Sequence, residues 1–279
     1  MNSQEWRAYY EQNRRDRLPV AWDKPVRVTA ATRGPLTRSV ARFQLGESSD
    51  GRRLRRLAQR TGDDAYAVAI ELFIGEEQEH ARLLGKVLDR LEAPRLKRHW
   101  SDWLFRRCRH LLGFYEELAV LLMAEIVALK YYSVLWNGTP DAALRRVCKQ
   151  ILHDEKFHVR FHCEYLHRQL ARSPRLAAAV LTAMFAGASA VVAWDHRDAL
   201  VALGSSAEDF LDESWRNFAA VRQAIVTGEA FVWSRATQRV ESPSAAPTPR
   251  RTPWAEAFNF VHTVTQCALR AWRQAVAVR

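Results

Sequence analysis

From residue 36 to about residue 170, apolar residues return every third or fourth position in four long stretches. The first stripe reads Leu36, Val40, Phe43, Glu47, Asp50, Leu54, Leu57, and the second Tyr66, Ile70, Phe73, Glu77, His80, Leu84, Val87, Leu91. The third runs Leu111, Phe114, Leu118, Leu121, Glu125, Ala128, Tyr132, Leu135, and the fourth Leu144, Cys148, Ile151, Glu155, His158, His162, Tyr165. Alternating steps of three and four trace the seam of a left-handed helix bundle, so four helices are predicted here. Strand-like alternation is scarce and there are only 11 Gly and 10 Pro, so the fold class is all-α.

Six polar residues break the rule that these stripes set. Glu47, Glu77, His80, Glu125, Glu155 and His158 fall on the seam among Leu, Ile and Phe. A buried carboxylate without a partner costs several kcal/mol or takes up a proton. Four of them at one level of a bundle repel one another, and bound cations supply the missing positive charge.

An internal repeat sharpens this reading. A shift of 78 residues lands Glu47 on Glu125, Glu77 on Glu155 and His80 on His158. The same shift lands Thr61 on Thr139 and Asp63 on Asp141, where a helix should start, and Asp is a good N-cap. Gly138, just before, suits a helix C-terminus. Two helical hairpins related by an approximate two-fold axis put both ligand sets at one height.

In each Glu-x-x-His the two side chains share a helix face and reach one metal, while the lone Glu47 and Glu125 are placed to bridge two metals. Carboxylate with imidazole suits Fe, Mn or a mixture of the two, whereas Mg and Ca favour oxygen alone. With the motifs EEQEH (Glu76–His80) and DEKFH (Asp154–His158), residues 36–170 resemble the ferritin-like di-iron carboxylate superfamily. DEKFH looks like the second motif of its soluble acyl-carrier-protein desaturases. The resemblance implies a ferritin-like four-helix bundle with two Fe ions (or Mn/Fe) and O2 as co-substrate. It also implies that Asp154 holds the ring nitrogen of His80 and Glu76 that of His158, fixing each tautomer. Ala128 and Leu129 stand where its hydroxylases and desaturases carry Thr, and Leu84 where the radical-forming reductase subunits carry Tyr.

Other residues near the stripes carry weaker signals. His162, where the repeat has Leu84, reads as a third imidazole ligand, a proton carrier, or a core histidine hydrogen-bonded to Tyr132 or Tyr165. Tyr132 lies beside the ligands or simply in the core. Asp50 is placed to face a channel, and His153 and His167 fall off the seam and should be solvated.

The rest of the chain frames the bundle. Residues 1–35 form an arm with a short helical face of Trp6, Tyr9 and Tyr10. Residues 171–240 add two or three helices at the C-terminal side, expected to cover the bundle and make a pocket or a dimer face. Residues 241–253 are a linker by composition, and residues 254–279 a final amphipathic helix. The uncharged stretch Leu176–Trp194 is near membrane-spanning length, but its alanines favour a buried helix over a span.

Composition narrows function further. The net charge is +11, and only six of the 42 basic residues are Lys, leaving 36 Arg. The charges are scattered with no nucleic-acid motif beside them, so no nucleic acid is expected as a partner. A basic surface suits an acidic carrier protein or a ferredoxin as electron donor, and contact with a membrane face is a further expectation. Cys108, Cys148, Cys163 and Cys267 lie far apart without CxxC, and the N-terminal segment has no apolar core, so a cytoplasmic setting is expected. The leading expectation is an O2-dependent di-iron oxidoreductase acting on a small-molecule or carrier-bound organic substrate. The alternative is a ferroxidase or iron-handling protein without one.

Overall fold

A computed structural model describes residues 1–110, 113–170 and 174–228, and all regular structure among them is helical. Ten helices follow in order: α1 (Ser3–Asn13), α2 (Ala30–Glu47), α3 (Arg52–Gln59), α4 (Asp64–Arg90), α5 (Trp100–His110), α6 (Phe114–Gly138), α7 (Ala142–Leu170), α8 (Pro174–Asp195), α9 (Arg197–Ala202) and α10 (Ala207–Thr227). The predicted linker 241–253 and final helix 254–279 lie outside the described residues, as does Cys267.

The helix starts follow their caps. Asn2 and Glu5 form a reciprocal capping box on α1, and the Thr29, Asp63 and Ser206 side chains accept the first free N–H groups of α2, α4 and α10. Asp141 does the same for α7, accepting from the Leu144 N–H at 2.9 Å. The repeat carries its turn chemistry with it: Thr61 Oγ1 accepts from the Asp63 N–H, and Thr139 Oγ1 from the Asp141 N–H.

Residues 36–170 form six helices rather than four, and α2 begins at Ala30 inside the predicted arm. The first stripe is broken. Gly51, with φ of 64°, sits in the left-handed region, and a Cβ there would lie 2.6 Å from Ile74. The chain turns at that point into α3, whose Leu54 still reaches the core, which is why the spacing looked unbroken. Asp50, expected on the seam, is exposed on the turn and pairs with Arg52 at 3.0 Å.

Four long helices, α2, α4, α6 and α7, close a ring. α6 packs most extensively on α7, α2 on α4, and α4 on α7. Side chains complete the circuit between α2 and α6, where Phe43 stacks on Tyr131 with ring centres 3.7 Å apart. The α6–α7 turn is tight because Gly138 allows Leu203 to pack on it. A Cβ at Gly138 would lie 2.5 Å from the Leu203 carbonyl oxygen.

The remaining helices are cladding. α1 lies on α4, burying Trp6 and Tyr10 against Phe161. α8 and α10 cover the flank of α6, and α10 also covers α7. Among the described residues, two helices are long and apolar enough to cross a membrane, α6 and the segment Ala178–Asp195. α6 is a core helix, 83% buried over its most apolar window. α8 is buried on one side only, through Leu181, Phe185 and Ala193, while Val180 and Trp194 are exposed, so the expected buried helix is half met.

Candidate metal centre

Glu77 and Glu155 each lie fourteen residues beyond the aspartate that caps their helix. At 1.5 Å per residue that is about 21 Å along α4 and along α7, so equal caps set equal depth. His80 and His158 follow one turn later on the same faces, and the two rings meet with centres 5.6 Å apart. One ligand atom from each of Glu47, Glu77, His80 and Glu155 lies within 4.8 Å of the other three. His158 joins them, its Nδ1 3.1 Å from Glu77 Oε1 and 3.6 Å from Glu155 Oε2. His80 Nδ1 stands 3.8 Å from Glu77 Oε1 and 3.6 Å from Glu155 Oε1.

These distances revise one expectation. Glu77 and Glu155 each come within 3.8 Å of both rings' Nδ1 atoms, whereas Glu47 and Glu125 meet other side chains. Tyr132 Oη donates to Glu47 Oε1 at 2.9 Å, and Glu125 Oε1 lies 3.1 Å from His162 Nε2. The Tyr132 bond places that residue on Glu47 rather than simply in the core. His162 bonds neither expected tyrosine: the Tyr132 hydroxyl is taken by Glu47, and Tyr165 stacks on Tyr66 at 4.0 Å.

The outer nitrogens are anchored across the dyad. His80 Nε2 meets Asp154 Oδ2 at 2.9 Å, and His158 Nε2 meets Glu76 Oε2 at 2.9 Å. Each acid therefore serves the histidine of the other half. With Nε2 donating outward, Nδ1 presents a lone pair to the cluster. The arm secures this layer. Asn13 Nδ2 donates to Glu76 at 2.7 Å and to Asp154 at 2.9 Å, and Arg17 and Gln150 add bonds to Asp154 at 2.9 Å and 3.0 Å. Neither Asn13 nor Arg17 stood out in the sequence. Asn13 could have, since Trp6, Tyr10 and Asn13 continue one buried helical stripe that ends on a polar residue, the same irregularity that exposed the glutamates.

The electrostatics are those of a crowded acidic site. Burial, then the Glu77 and Glu155 charges, push the Glu47 carboxyl well above the usual carboxylate range. Burial also raises Glu155, to about 7. Glu77 moves the other way, because the adjoining His158 and His80 rings outweigh its burial. Burial alone would lower both imidazoles, but the carboxylates around them raise them, Asp154 chiefly for His80 and Glu155 with Glu76 for His158.

Many polar atoms here are buried without a hydrogen-bond partner: Glu77 Oε1, Glu155 Oε2, both Glu125 oxygens and the Nδ1 atoms of His80 and His158. The 3.1 Å approach of His158 to Glu77 is an ion-pair distance, out of line for a hydrogen bond. Buried orphan acceptors converging from four helices fit a cation, and the cluster can hold a metal ion. No family model matches the chain, and no curated protein or solved structure is significantly similar to it.

Beside the cluster lies a cavity of about 670 Å³. Glu47, Glu77, Glu125 and Glu155 all border it. Its other walls are mainly apolar, from Phe43, Phe73 and Leu121 of the ring, Leu104 and Phe105 of α5, and Met184 and Val191 of α8, with Arg42, Asp102, Arg109 and His196 also bordering it. The helices beyond residue 171 thus make a pocket wall, as expected. α5, absent from the sequence reading, makes another. At one edge Ser39 Oγ bonds both Tyr131 Oη and His196 Nδ1 at 2.7 Å, and burial holds His196 down at about 3. His153 is exposed as expected, but His167 is half-buried and its Nδ1 donates to the Ile225 carbonyl at 2.7 Å.

Proposed function

We propose that this chain is a ferritin-like di-metal carboxylate protein that uses O2 to oxidise an apolar organic substrate. Two Fe ions, or Mn and Fe, would be held by Glu47, Glu77, His80, Glu125, Glu155 and His158. The observation that carries this reading is the cavity, bordered by four carboxylates and otherwise walled chiefly by Phe, Leu, Val and Met. Reduced metals bound there would supply the electrons that activate O2.

The chain's own residues do the rest. Asp154 and Glu76 hold the His80 and His158 rings with Nδ1 turned inward. Tyr132 donates to Glu47 and fixes its carboxylate beside the cavity. Phe73 sets its ring edge-on to His158, with centres 4.7 Å apart, and shields the cluster from water. A small-molecule or carrier-bound substrate would lie along α5 and α8. A net charge of +11 suits an acidic electron donor such as a ferredoxin or an acidic carrier.

The iron-handling alternative has less support, since oxidising Fe alone needs no apolar chamber of this size. The test is elemental analysis of the purified chain, followed by O2 exposure of the anaerobic Fe(II)-loaded protein under an optical probe. Two metals per chain and a transient visible band are expected. A chain that takes up no metal under reducing conditions defeats the reading, and a cage-sized assembly in gel filtration would turn it toward iron storage.

A further inference from the structure

His162 is the place where the two halves of the repeat part company. Its counterpart is Leu84, an apolar core residue with 0% exposure. His162 is equally enclosed, at 0% exposure, yet neither ring nitrogen has a hydrogen-bond partner. Burying an imidazole where leucine packs well, and then leaving it unpaired, is costly unless something else binds it.

The neighbour that Nε2 faces is in the same condition. Glu125 is 5% exposed, and both its carboxylate oxygens lack partners. Nε2 and Glu125 Oε1 are 3.1 Å apart, but the oxygen lies out of line with the ring N–H, so the contact is not a hydrogen bond. Two atoms each about 2.1 Å from one ion, and at right angles to each other, are about 3.0 Å apart. The ring is also held in place: Phe73 meets it edge-on at 4.8 Å, and Phe161 lies at 5.2 Å.

We infer that His162 is a seventh metal ligand, acting through Nε2 on the ion shared by Glu125 and His158. This rests on the di-metal reading above. It makes the two ions inequivalent, one facing a single imidazole from His80 and the other facing two. The added ring differs from the other two in approach. His80 and His158 offer Nδ1 and are anchored through Nε2, whereas His162 offers Nε2 and has no acid behind it.

The experiment is an anaerobic Co(II) titration of the full-length chain, read by its visible ligand-field bands, for the wild type, H162L and H162Q. H162L installs the residue that the repeat places there, and H162Q keeps a polar side chain should leucine disturb folding. The wild type should bind two Co(II). Both variants should keep the first and bind the second at least about tenfold more weakly, with a changed spectrum. If both variants bind two ions with wild-type affinity and spectrum, His162 is only a neighbour of Glu125 and the inference falls while the di-metal reading stands. A wild type that binds no Co(II) overturns both.

Discussion

The two halves of the repeat keep the same ligand spacing on different scaffolds. In the second half α6 runs on past Glu125 to Gly138, and only three residues separate it from α7. In the first half α2 stops at Glu47 itself, and the chain turns through Gly51 into α3 before α4 starts. Glu47 and Glu77 are nevertheless as far apart in sequence as Glu125 and Glu155. What has been kept is the depth of the ligands, not the helices that carry them.

The break has a chemical cost and a spatial benefit. Glu47 sits at the C-terminus of α2, where unsatisfied carbonyls carry partial negative charge and disfavour a carboxylate. The Tyr132 hydroxyl offsets this, a donor that Glu125 lacks. In return Gly46, Ser49 and Gly51 border the cavity where a continuing helix would have run. The intact half carries the extra imidazole.

Removing a glutamate that approaches both rings should erase the difference between the halves. Glu77→Ala or Glu155→Ala is expected to drop metal content from two per chain toward none, whereas Glu47→Ala or Glu125→Ala should leave about one. Elemental analysis reads this directly, and equal losses for all four would mean that no carboxylate is shared. Next in size are the acids behind the rings. Asp154→Asn and Glu76→Gln should each weaken metal binding about 10–100-fold. Asp154→Asn should lie at the upper end, because it also frees Asn13, Arg17 and Gln150, and a competition assay with a chelator would rank the pair.

Protons compete for the same sites. Burial pushes the Glu155 carboxyl up to about 7 and the surrounding carboxylates raise the His80 and His158 rings, so protons compete with a metal for all three. Metal affinity should therefore rise with pH and fall away below about pH 7, by up to about tenfold per pH unit for each proton displaced. Proton release on metal addition in weak buffer measures the number, and a pH-independent affinity would contradict the arrangement. Tyr132→Phe should act on the Glu47 half alone, costing about 1 kcal/mol, or roughly fivefold in affinity for one ion. The smallest contrast lies at the caps. Asp63→Ala should lower stability by about 1 kcal/mol. Asp141→Ala should cost more, because that buried side chain also accepts from the Arg27 N–H and from Arg90. Thermal unfolding of the two variants would show the order.

Much of the site was legible because its residues violate the pattern around them. An acid on an apolar stripe is visible from spacing alone, and the repeat supplied each violation twice. The crossed bonds from Asp154 to His80 and from Glu76 to His158 also came out as the resemblance implied. What escaped was whatever kept the pattern while changing direction. The stripe through Glu47, Asp50 and Leu54 has helical spacing because α2 and α3 face the same core, and only the Ser-Ser-Asp-Gly run at 48–51 hinted at a turn. α5 escaped for the opposite reason: Trp100 and Trp103 are exposed, so it presents no clean inner face to read. Which glutamates approach both rings depends on helix rotation, which periodicity fixes too coarsely.

Asn13 bonds partners 63 and 141 residues further along the chain. α1 can pack on α4 as soon as that helix forms, but the clasp from Asn13 is complete only when α7 has brought Asp154 to it. Closing so long a loop is slow, so that second bond should be among the last parts to settle. Until it forms, Asp154 stands without its donors from the arm, and the His80 ring that leans on it is less firmly set.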